Sequence, residues 1–153
     1  MHHNTTPKGH GACPCLLLIM PMLLSACRPL RTSQDYDEVT DRRLLQIQEK
    51  CSRLFVRLEK QAGSPEGSAV KYVDFYEDVR TDIDVLRMRS RAMEKSEIAR
   101  QQLDILRREL DQLDSLHRIG FHDFDEVRPL RDGVEGTLVS MQKYQFILKN
   151  RIK

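Results

Sequence analysis

Apolar residues recur along most of this chain at alternating three- and four-residue steps, the spacing that places them on one face of an α-helix. The first line is Leu44, Ile47, Cys51, Leu54 and Leu58. Two lines then follow each other without interruption. One is Tyr72, Tyr76, Val79, Ile83, Leu86, Ser90 and Met93; the next is Ala92, Ser96, Ala99, Leu103, Leu106, Leu110, Leu113 and His117. The last third carries Phe124, Val127, Arg131, Val134, Leu138, Met141, Gln145, Leu148 and Ile152, a line that only Arg131 and Gln145 make polar. The pattern predicts an all-α domain over 35–153, with helices at about 35–61, 69–119 and 124–152.

The breakers agree with those limits. Gly63-Ser64-Pro65-Glu66-Gly67-Ser68 ends the first helix, with Ser68 a candidate N-cap for the second. Gly120 suits the residue just past a helix end, and Phe121 can fold back on Leu116. Asp123 and Glu126 form a candidate capping box, while Pro129 predicts a kink soon after it. Between them, 69–119 holds neither Gly nor Pro, and as one helix it would extend ~75 Å. Its two apolar lines differ in phase by one residue and change over near Arg87 to Glu97, which predicts a change of partner along an unbroken helix. Gly133 and Gly136 weaken the third helix and suggest a close approach by another backbone.

Folding the first helix back on the second pairs Leu58 with Tyr72, Leu54 with Tyr76, Cys51 with Val79, Ile47 with Ile83 and Leu44 with Leu86, all symmetric about Pro65. Asp74, Asp78 and Asp82 then face Arg57, Arg53 and Lys50. The third helix pairs Val127 with Leu113, Val134 with Leu106, Leu138 with Leu103 and Met141 with Ala99, about Gly120-Phe121. In that register Arg128 faces Asp114, Arg107 faces Glu135 and Arg108 faces Asp132. The expected architecture is two antiparallel helical hairpins, coiled-coil-like, sharing one long central helix. Its rival is a compact bundle in which 69–119 breaks near Arg87 to Glu97; the lack of Gly or Pro there speaks against it.

Ahead of the helices stands a nine-residue apolar run, Leu16 to Leu24, too short for the ~20 residues that cross a bilayer. A polar stretch with Lys8, three histidines and no acid precedes it, and Pro21 argues against an ordinary buried helix. The run ends in Leu24-Ser25-Ala26-Cys27. That signature resembles the lipobox of a bacterial lipoprotein signal peptide. The resemblance covers the first 27 residues, and it implies that 1–26 are removed and that Cys27 becomes a lipidated first residue. Residues 27–34 would then be a tether, and Arg28 in place of Asp favours the outer membrane, facing the periplasm. Two or more acyl chains anchor stably where one does not.

Removing 1–26 takes away one lysine and no acid, leaving 24 basic residues (25 less Lys8) against 23 acidic ones. So nearly neutral a chain has no field to recruit nucleic acid. Of four cysteines only Cys51 would stay free of the signal and the lipid, which excludes an intramolecular disulfide. No phosphate-cradling glycine loop, nucleophile elbow or HExxH occurs. His117, His122, Asp123 and Asp125 cluster near one turn but match no metal spacing, and capping is their plainer role. The sequence therefore implies no catalytic residue, metal or cofactor.

In the extended arrangement the tether attaches at the middle of a rod. Arg87, Arg89, Arg91, Lys95, Lys149, Arg151 and Lys153 gather there as candidate contacts to an anionic surface, joined by Arg42 and Arg43. Asp35, Asp37, Glu38, Asp41, Glu94 and Glu97 share the region, so a solvated face of mixed charge is the plainer reading. Leu45, Phe55, Val56, Val139, Phe146 and Ile147 lie off the apolar lines, as surface for a partner protein or a second copy. The expected function is that of a lipid-anchored, non-catalytic envelope scaffold, spacer or adaptor working through coiled-coil-type contacts. The alternative is an accessory or inhibitory subunit docking on an envelope enzyme or secretion machine.

Overall fold

Asp37 starts the first helix. Its carboxylate accepts the Thr40 amide at 3.2 Å and the Thr40 hydroxyl at 2.6 Å, satisfying one of the donors every helix start leaves open. The helix it opens, α1, spans Glu38–Gln61 and buries Leu44, Ile47, Cys51, Leu54 and Leu58, the predicted line. The computed structural model describes residues 35–151. The lipobox, Cys27, the tether to Gln34, Ile152 and Lys153 lie outside them.

Two short 3₁₀ turns, Pro65–Gly67 and Ala69–Tyr72, carry the chain into α2, Val73–Ala92. Helix α3 spans Glu97–Ile119 and α4 Phe124–Asn150. The described residues thus form an all-α fold of four helices, and the single long central helix is corrected. It ends at Ala92, and Met93 to Ser96 turn the chain back. Lys95 stands at φ +56°, in the left-handed region that side chains normally avoid. The Met93 amide bonds the Ser90 carbonyl, and the buried Ser96 hydroxyl donates to that same oxygen. A reversal needs one left-handed residue, which a lysine can supply at ~1 kcal/mol, so the absence of Gly and Pro did not preserve the helix.

Antiparallel neighbours close into a ring, with α1 packed on α2 and α4, and α3 packed on α2 and α4. Between α1 and α2, Lys50 meets Asp82 at 2.9 Å and Asp78 at 3.6 Å, and the Tyr72 hydroxyl donates to Gln61 at 2.8 Å, as a fold about Pro65 requires. Between α3 and α4, Thr137 donates to Glu109 and Gln102 to Ser140, near the expected register. The unforeseen interface is α2 on α3. There Arg80 binds Asp111 and Asp114, Arg87 binds Asp104, and Arg107 binds Asp84.

These bonds redirect charges assigned elsewhere. Asp114 meets Arg80 and Arg118 rather than Arg128, which pairs with Asp125 on its own helix. Arg107 leaves Glu135 to Arg131, and Arg53 pairs with Glu49 along α1. A fourth helix against the core also takes in more apolar surface than a two-helix seam covers. Phe55, expected outside, is among the largest fully buried side chains. Among the described residues Gly133 and Gly136 admit no neighbouring backbone: a Cβ at Gly136 would meet nothing within 4 Å, and one at Gly133 only the Glu109 carboxyl, at 3.6 Å.

The opposite end is closed by backbone contact. Gly63 stands at φ +81°, and a Cβ there would lie 2.1 Å from the His122 carbonyl oxygen. Only glycine lets the α1–α2 connection pass so close to the α3–α4 turn. Asp123 caps α4 by accepting the Asp125 and Glu126 amides, and Glu126 reaches back to the His122 amide.

Candidate functional site

The expected site residues that fall within the described chain do collect, at the end of the bundle where α1 and α3 start and α2 and α4 finish. Most of that charge is already engaged. Arg89 clasps Asp37 through two bonds, the second at 2.8 Å, and the guanidinium holds the carboxyl down at about 2. Arg87 spans Asp104 and Asp84, Arg43 binds Asp82, and Arg42 binds Glu38. Lys149 holds its ammonium 5.4 Å from the centre of the Tyr36 ring. Arg91 and Lys95 are exposed, and Arg151 follows the last turn of α4. Clasping of this kind fixes the helix ends to each other and leaves a mixed surface, in line with the plainer reading.

His117 has a structural position. Its ring is buried, stacks on Phe121 at 5.2 Å, and sits between the Tyr76 hydroxyl at 2.8 Å and the Gly67 carbonyl at 2.7 Å. A carbonyl can only accept, so Nε2 carries the hydrogen and Nδ1 accepts from Tyr76. Burial lowers the pKa of the imidazole, against the raising influences of Gly67 and Asp114. His122 stands apart, exposed and bonded to Glu126. Among the described residues no three His, Cys, Asp or Glu side chains converge as metal ligands. Cys51 is enclosed by the core, and burial pushes its thiol up to about 12.

Chemistry of another kind lies in apolar surface left outside the core. On one flank of α4, Leu45, Phe146 and Ile147 line a groove of about 540 Å³ against α1, with Asp41, Gln142, Lys143 and Lys149 around it. Phe146 is 68% exposed and Leu45 54%. Both belong to the off-line residues that the sequence singled out, as do the exposed Val56 and Val139.

The other flank was missed. Ile98, Ile105 and Leu116 are exposed on α3 at seven- and eleven-residue intervals, which is one face of the helix, and Ile119 ends the helix 81% exposed. Leu116 lines a second groove, about 370 Å³, with Glu109, Gln112, Glu126, Pro129, Leu130 and Gly133. Gly133 and Gly136 on α4 keep the adjoining surface low. Glu109 spends one carboxylate oxygen on Thr137; the other is buried without a partner. The signal was present as an apolar heptad step beside the main line, but its direction depends on which helix covers α3.

Among the described residues no helix is long and apolar enough to cross a membrane. The chain matches no family model, no curated protein and no solved structure.

Proposed function

We propose that this chain is a lipid-anchored envelope protein whose four-helix domain serves as a non-catalytic scaffold or adaptor, taking a helix of another protein into the α3–α4 groove. The anchor is Cys27, behind Leu24-Ser25-Ala26, and the outer membrane, facing the periplasm, is its place. The observation that carries the docking role is the pairing of an exposed apolar line on α3 with a glycine-lowered α4. Helix-in-groove recognition needs such a combination: anchors at helical spacing and a floor low enough for close approach. Two acids, Glu109 and Glu126, line that groove and favour an incoming helix bearing Lys or Arg beside its apolar face.

A spacer role loses support with the long helix, because the longest helix among the described residues, α4, has 27 residues and extends only ~40 Å. The test is purification from the native membrane, with mass spectrometry of the Cys27 peptide and of co-purifying chains. A diacylglycerol-bearing Cys27 and a stoichiometric partner lost on Ile105→Asp, at unchanged thermal stability, are expected. A partner retained by that variant, or self-association in place of a partner, overturns the assignment of the groove. An unmodified Cys27 overturns the anchor.

A further inference from the structure

We infer that the α1–α4 groove is a lipid contact: Leu45, Phe146 and Ile147 enter the headgroup layer of the bilayer that holds the anchor. The inference rests on the reading of Cys27 as the lipidated residue. Three observations meet at this groove. The first is its surface, an exposed aromatic and two exposed aliphatic side chains with lysines at the rim. Interfacial segments of proteins are built this way, apolar tips entering the acyl boundary while cations stay among the phosphates.

The second is charge. Lys143 makes no ion pair among the described residues, and Lys149 is met by a ring face instead of a carboxylate. Asp41 is the acid that lines the groove, and it accepts the Tyr36 hydroxyl at 2.9 Å. Two cations are therefore offered to an anionic surface, which attracts basic side chains held close to it.

The third is position. Tyr36 touches both Asp41 and Lys149, so the chain reaches the helical domain beside this groove and away from the α3–α4 one. The eight residue steps from Cys27 to Asp35 extend at most ~29 Å. An anchored domain on so short a tether meets the bilayer at high effective concentration, and the face next to the tether meets it first. Extent separates this patch from a helix dock: its exposed apolar residues are confined to the last turns of α4 and to Leu45 of α1, whereas those of α3 run the length of the helix. The domain would then rest with its α1–α4 side on lipid and its α3–α4 groove free.

The chain has no tryptophan, so Phe146→Trp introduces a single reporter. The acylated full-length product is reconstituted in phosphatidylcholine–phosphatidylglycerol vesicles carrying lipids brominated at graded depths. The expected result is a blue shift of emission, with the strongest quenching from the shallowest bromines. Val70→Trp, an exposed site in the turn at the opposite end of the bundle, is expected to show neither. Lys143→Gln with Lys149→Gln should reduce the Phe146→Trp quenching in phosphatidylglycerol vesicles. Protein that is acylated and floats with the vesicles, yet shows unshifted and unquenched Phe146→Trp emission, overturns the lipid contact and leaves the anchor standing. A blue shift that follows protein concentration without vesicles overturns it in favour of a second copy. Unacylated protein that does not float overturns the anchor reading itself.

Discussion

At the scale of single residues, the polar groups inside this bundle do the work of specification. His117 is the clearest, since one neutral ring joins α3 to α2 through Tyr76 and to the α1–α2 connection through Gly67. Burial lowers its pKa below the ordinary 6.5, so the unfolded chain binds the proton more readily than the folded one. The stability this group contributes is fully present above pH ~6.5 and falls as pH drops from there toward the folded pKa. Urea midpoints measured from pH 7.5 to 5 should decline, and His117→Gln should flatten that decline while lowering stability at pH 7.5 by about 1–3 kcal/mol through the partners left unpaired. An undiminished slope in the variant would place the titrating group elsewhere. His117 was visible in the sequence as a member of an apolar line. Its two partners were not, because Gly67 and Tyr76 come from segments 50 and 41 residues away.

At the scale of elements, the α2–α3 turn is the informative departure. Ser90 and Ser96 sit on the apolar lines and Lys95 is exposed, so nothing in local composition marks a reversal as Gly63 and Pro65 mark the first turn. What marks it is the phase shift between the two apolar lines. A continuous helix cannot aim both at one core, whereas a reversal at Met93 to Ser96 lets both face the same interior and gives every helix two neighbours. The gain is shared burial around a wider core, and its cost is one left-handed lysine. Lys95→Gly should therefore raise stability by about 0.5–1 kcal/mol, seen as a higher Tm. Glycine adds unfolded-state freedom, which keeps the gain below the full left-handed penalty. A lower Tm would mean that the lysine side chain contributes more than its backbone costs.

At the scale of the whole molecule, the ring of helices is closed where α1 starts by the Asp37–Arg89 clasp and at the far end by Gly63 against His122. Asp37 titrates at about 2 in place of 3.8, chiefly through the Arg89 bond. This depressed carboxyl contributes stability above pH ~4, lost as pH falls toward 2. Arg89→Gln should make the acid limb of a stability–pH profile shallower and lower the plateau by about 1 kcal/mol, roughly the value of an N-cap contact network. An unchanged acid limb would show that another depressed carboxylate, Asp114, dominates it. The same clasp places the first described residues at one end of the bundle, beside the α1–α4 groove, where a rod would have put them at its middle.

Helical class, the four core-facing lines, the first and last turns and the antiparallel pairing of α1 with α2 and α3 with α4 follow from periodicity and breakers. Those are properties of neighbours a few residues apart, and local sequence determines them. The residues that carry candidate docking chemistry were half legible: Leu45, Phe146 and Ile147 declared themselves by lying off a line. Ile98, Ile105 and Leu116 did not, because an exposed face is defined only once the covering helices are placed. Tertiary structure alone decided that the chain reverses after Ala92, that Phe55 is interior, and that Arg80 and Arg107 serve the α2–α3 interface. The reason is physical. Burial shared among four helices outweighs one residue's backbone strain, and no local pattern records that comparison.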